Sequence, residues 1–293
     1  GAVDPRARSL ELPIELIGDA VRFVACHEVG HSLGLRHNMM ASAAYPPDSL
    51  RSASFTSRMG GTSASIMDYA RFNYVAQPGD KERGVKLSPP RFGAYDQWLI
   101  DWTYRPVFDA ESFEQEAEIT AGWITEALTK APFYRYGKQQ MSVAYYDPRS
   151  QSEDLGDDAV AATKYGVANL KYILENYMDW ITEGDEDYEF RTDVYNGILN
   201  QYLTYAQHVL LNVGGLYKNE VKASDVMSRY ANVPGKKQRE ALEYMFTLQE
   251  DLSWLDNRKV LDRLPVVGSP EHTLRTAIQS LILMAPSLAS SSN

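Results

Sequence analysis

Residues 27–37 read H-E-V-G-H-S-L-G-L-R-H, from His27 to His37, and further on the chain reads Ser65-Ile66-Met67-Asp68-Tyr69. His27 and His31 are one helical turn apart, so a helix through them aims both imidazoles the same way. The pattern extends upstream. Ile17, Ala20, Val24, His27 and His31 succeed one another at steps of three and four, which predicts a helix that Pro13 opens at its first turn. Glu28 neighbours the first histidine and reaches the same space without having to ligate. Gly34 can take a left-handed backbone where other residues meet a steric penalty, so it ends the helix and lets His37 return from a third direction. Three neutral nitrogens, an open fourth position and a nearby carboxylate are what a hydrolytic zinc site requires. A core helix with merely hydrogen-bonded histidines is the bland alternative. It fares poorly, because the chain has only 5 histidines in 293 residues and three of them fall at these offsets beside a Glu and a Gly.

His27, Glu28, His31, Gly34 and His37 match the elongated zinc motif of the metzincin metallopeptidases, and Ser65 to Tyr69 resembles their Met-turn. The resemblance implies that His27, His31 and His37 bind Zn2+, that Glu28 is the general base, and that Met67 forms an apolar floor under the metal. Tyr69 matches the tyrosine that astacin-like and serralysin-like members use as an extra ligand or oxyanion stabiliser. The stretch from Leu87-Ser88 through Asp96, Ile100 and Tyr104 is similar to the helix that closes the metzincin lower subdomain. Residues 12–105 more particularly resemble large bacterial zinc-dependent proteins with a metzincin-like domain, through the runs Arg36 to Pro46 and Ser65 to Pro78. Asn38, after the third histidine, differs from the common family choices and leaves the subfamily open.

The implied activity is zinc-dependent endopeptidase, with a protein or peptide as substrate. A non-catalytic zinc-containing binding or scaffold protein is the alternative, and the intact Glu28 argues against it, since a purely structural site has no use for a base. Metzincins place a twisted β-sheet ahead of the zinc helix, and only 26 residues precede His27 here. The expected fold is therefore mainly α: the lower part of a metzincin domain with zinc helix and Met-turn, then a helical bundle, with the upper β-sheet largely absent. On this reading the chain is a C-terminal piece that works with an N-terminal region of the same protein, in the periplasm or outside the cell.

A net charge of −10 argues against nucleic acid, whose phosphates demand a basic face. No apolar run reaches the length of a transmembrane span. The single cysteine, Cys26, precludes an intrachain disulfide and reads as a small buried residue on the zinc helix.

Two domains are expected, residues 1–108 around the zinc motif and 109–293 as the bundle. Between His37 and the Met-turn, a stretch rich in Ser, Ala, Pro and Gly predicts loop, with Tyr45 and Phe55 as candidates for lining the wall beside the scissile bond. A helix is expected over 110–130, then a hairpin or packed loop over 132–148 holding Phe133, Tyr134, Tyr136, Tyr145 and Tyr146. The acidic run from Glu153 to Asp158 reads as helix-dipole compensation and not as a calcium loop. Apolar spacing predicts helices from Ala159 onward, including 237–254 and 271–284, with a disordered serine-rich tail. His208 reads as a packed or hydrogen-bonding histidine and His272 as a surface one.

Overall fold

Side-chain caps set the starts of several helices in the computed structural model, which describes residues 1–140, 147–182, 184–221 and 228–290, the side chains of 286–290 excepted. Ser52, Ser112 and Asp158 each accept a hydrogen bond from the backbone N–H three residues on, satisfying a donor that a helix start leaves unpaired. The helices are α1 (Ile14–Ser32), α2 (Ala53–Met59), α3 (Ala94–Tyr104), α4 (Phe113–Lys130), α5 (Ala159–Trp180), α6 (Glu189–Leu210), α7 (Gly235–Glu250), α8 (Arg258–Leu261) and α9 (Pro270–Ser290). A two-stranded antiparallel sheet, β1 (Leu216–Lys218) against β2 (Tyr230–Asn232), is the only sheet among the described residues, with Tyr217 opposite Ala231. The mainly α architecture is as expected; this small hairpin was not read from the sequence.

α5, α6, α7 and α9 pack around a core that includes Leu174, Tyr177, Tyr195, Tyr202, Met245 and Ile278. Two of these buried tyrosines find carbonyl acceptors: Tyr195 Oη donates to Leu255 O at 3.1 Å and Tyr202 Oη to Leu248 O at 2.8 Å. Gly166 admits the ring of Tyr205, which a Cβ at that position would meet at 2.6 Å. A second core collects Tyr45, Leu50, Val75 and Tyr95 with Leu155 and Ala162, and Tyr74 packs against both cores. The second core thus draws on residues from either side of the 108/109 boundary.

The segment between His37 and the Met-turn is more ordered than a loop, since it folds into 3-10 turns at Ser42–Ala44 and Pro47–Arg51 and then α2. Tyr45 is 2 % exposed and stacks edge-on with Phe55 at 5.1 Å, so the pair builds the second core instead of lining a cleft. In the 132–148 stretch, Pro132–Tyr134 is a 3-10 turn and no strand occurs among the described residues, while Tyr145 and Tyr146 lie outside them. Helix-dipole compensation explains Asp158 at the start of α5, whereas Asp154 is buried on Ser42 Oγ at 2.9 Å. α9 runs to Ser290, so the serine-rich tail is helical that far, and 291–293 lie outside the described residues. His208 is buried, bonded through Nε2 to Ser152 O, and burial pushes it down to about 4.

Candidate metal centre

α1 carries His27 and His31 on one side, and much of its apolar surface is left uncovered. Ile14, Ile17, Val21, Val24 and Val29 are exposed, continuing into Leu33 beyond the C-terminus of the helix. Ile17 and Val24, expected on the histidine stripe, therefore lie at the surface. Pro13 stands just before the first helical residue, and Gly34 at φ +80° makes the turn that brings the chain back toward His37. Cys26 is half-buried, beside Leu35, Ile66 and Met67.

The three imidazoles converge. His37 Nε2 lies 3.1 Å from His27 Nε2 and 3.0 Å from His31 Nε2. Three nitrogens on a tetrahedral zinc at about 2.0–2.1 Å would stand about 3.3 Å apart, close to this spacing. Protonation follows from the outer nitrogens. His27 Nδ1 faces Ile66 O at 2.8 Å, His31 Nδ1 faces Leu35 O at 2.9 Å and His37 Nδ1 faces Gln139 Oε1 at 3.0 Å. Carbonyl oxygens only accept, so each Nδ1 carries the hydrogen, and in neutral rings all three Nε2 lone pairs point into one space. Lone pairs gathered in this way suit a cation of the Zn2+ class. Burial pushes His37 below its ordinary value, with the Gln139 bond acting in the opposite direction, and the net effect favours the neutral, ligating form.

The chain belongs to the Met-zincin family. The family model matches residues 9–288, nearly the whole chain, and no curated protein or solved structure shows significant similarity to it. Membership places this Met-zincin, in broad terms, among zinc-dependent metallopeptidases, which act on proteins or peptides. His27, His31 and His37 are the one group of metal-capable side chains of this kind among the described residues.

Met67 packs with Leu35 and Ile66, whose carbonyls receive the Nδ1 hydrogens of His31 and His27. Met67 is fully buried, and a Cβ added to Gly30 would lie 2.3 Å from its Sδ. The turn that presents it hangs on Asp96 in α3, whose buried carboxylate accepts from Ser65 Oγ (2.5 Å), Ile66 N (2.7 Å) and Gly93 N (2.7 Å). Gly93 is needed there because any Cβ would meet Ala64 O at 2.0 Å. Asn38 closes the other side: its N–H donates to Met67 O, Nδ2 donates to Arg135 O, and Oδ1 accepts from Gly137 N. The sequence marked Asn38 only as an unusual neighbour of the third ligand. Its role depends on partners far away in the chain, and the same holds for Gln139.

The Tyr69 ring stacks on His27 at 5.5 Å and lies 4.6 Å from His37, so it borders the histidine cluster at a partly exposed position. Glu28 is exposed beside His27, and its charge contributes to the field at His37. Glu28, Tyr69, the histidines and Met67 are therefore brought together in one neighbourhood. No helix among the described residues is long and apolar enough to cross a membrane.

Proposed function

We propose that this Met-zincin is an endopeptidase that hydrolyses peptide bonds at the His27–His31–His37 centre, with Glu28 as general base. The observation that carries the reading is the convergence of three Nε2 atoms whose Nδ1 partners are all hydrogen-bond acceptors. Zinc, when bound there, would acidify water and polarise the scissile carbonyl. Glu28 takes the proton from the attacking water and delivers it to the departing amine, one carboxylate serving both steps. Tyr69, against two of the imidazoles, offers its phenol as a donor to the oxygen that becomes negative in the transition state. Met67 keeps the underside of the cluster dry and fixed. The family resemblance also implies a β-sheet that aligns an extended substrate, and the exposed apolar flank of α1 supports placing such a sheet against it.

A mixed-peptide digest tests the reading, comparing wild type with Glu28→Gln in the longest form of the protein that contains this chain. Chelator-sensitive cleavage by wild type, reduced by about 10² or more in the variant with zinc retained, is expected. Equal cleavage by both would refute Glu28 as the base. Zinc uptake with cleavage by neither would favour a zinc-containing binding or scaffold protein.

A further inference from the structure

Two of the three histidines hand their Nδ1 hydrogen to the main chain, to Ile66 O and Leu35 O, which no substitution at those positions removes. The third hands it to a side chain. His37 Nδ1 bonds Gln139 Oε1 at 3.0 Å, across a separation of 102 residues. We propose that Gln139 is the positioning residue of the metal centre, fixing the ring orientation and tautomer of His37 so that its Nε2 is the ligand.

Gln139 is exposed, but the chain that carries it is tightly anchored. Met39 N donates to Gly137 O and Gly137 N to the Asn38 side chain, so the segment bearing Gln139 lies alongside the one bearing His37. Gly137 permits this approach, since a Cβ there would meet Met40 Cγ at 2.5 Å and Ser150 Oγ at 2.7 Å. The residues flanking Gln139 are tied as well. Ser150 Oγ donates to Lys138 O at 2.9 Å, and Gln140 Nε2 donates to Asp147 O and Ser150 O at 2.8 and 2.7 Å. A solvent-facing glutamine is thus held at a fixed register over one imidazole. Its amide dipole orients the ring and raises the basicity of the ligating nitrogen, as outer partners of metal-bound histidines do. Residues 135–140, beyond the zinc motif and the Met-turn in sequence, thereby become part of the metal centre.

The inference rests on the zinc reading above, and zinc affinity separates the two. Competition against a chromophoric chelator would be measured on the whole chain for wild type, Gln139→Leu and Gln139→Glu. Leucine removes the acceptor and is expected to weaken zinc binding by about 10- to 100-fold. Glutamate can only accept, and it should restore or exceed wild-type affinity, while the melting temperatures of all three metal-free proteins stay together because the side chain is exposed. A leucine variant within about twofold of wild type, or a glutamate variant as weak as leucine, overturns the role of Gln139 and leaves the zinc reading intact. Wild type that takes up no zinc overturns both.

Discussion

Asp96→Ala would show how firmly the Met-turn is anchored. The Asp96 carboxylate is fully buried and accepts from Ser65 Oγ, Ile66 N and Gly93 N at 2.5, 2.7 and 2.7 Å. Truncation strands two backbone N–H groups and a hydroxyl in the interior, each costing about 1–3 kcal/mol. Part of that loss is recovered. Burial raises the pKa of Asp96, so the ionised carboxylate already bears a desolvation cost that the alanine variant escapes. The net expectation is a loss of about 4 kcal/mol. Asp96→Asn discriminates between lost acceptors and lost volume. Its single oxygen, placed where Oδ2 now sits, can still accept from Ile66 N and Gly93 N, and its amide can donate to Ser65 Oγ once that hydroxyl rotates. A loss of about 1 kcal/mol is expected. Urea unfolding of the metal-free chain, followed by circular dichroism, measures both. An alanine variant within about 1 kcal/mol of wild type, or an asparagine variant as unstable as alanine, would refute the anchoring argument.

Other expectations follow from burial and space. Burial pushes the Asp154 carboxyl up to about 7. Its folded pKa lies above its unfolded one of 3.8, so the folded state holds the proton more tightly and stability falls as pH rises between those values, by about 4 kcal/mol in all. Asp154→Asn keeps an acceptor for Ser42 and should gain on wild type from about pH 4 to about pH 7 in thermal melts and level off above; a constant gap would show that the carboxyl titrates normally. Within α1, Gly18 has open space around it and Gly30 faces Met67 Sδ. Helix propensity gains about 1 kcal/mol from either alanine, while overpacking costs about 1–3 kcal/mol. Gly18→Ala is therefore expected to raise the melting temperature and Gly30→Ala to lower it, and equal shifts would mean that Met67 moves aside freely.

What the sequence revealed and what it hid divide along contact range. His27, His31 and Gly34 were legible because helical spacing and a left-handed turn are local matters, and His37 followed from the same eleven residues. Met67 and Tyr69 were legible through the family pattern. Helices α4 to α7 and α9 were readable from apolar spacing, although the tail of α9 was misjudged because serine composition says little once Leu274, Ile278 and Ala285 dock the helix. The stripe argument found α1 and the shared direction of His27 and His31, but periodicity reports an apolar face without saying whether this chain covers it, and Ile17 and Val24 are exposed. Asp96, Asn38 and Gln139 act across 30, 99 and 102 residues, through bonds to the Met-turn, to Gly137 and to His37, and no spacing rule reaches that far. Asp154 shows the same limit: the acidic run reads as helix-dipole compensation, which holds for Asp158, while Asp154 is buried against Ser42, more than a hundred residues away in the chain.

Metal content tests the central claim most directly. The chain would be equilibrated with excess zinc, freed of loosely held ion by gel filtration, and analysed for zinc alongside His27→Ala, His31→Ala, His37→Ala and Glu28→Ala. About one zinc per chain is expected for wild type and for Glu28→Ala, with less than about a tenth of that in each histidine variant. Wild type that emerges without zinc, or histidine variants that retain it, would contradict the assignment of these three residues as the metal centre.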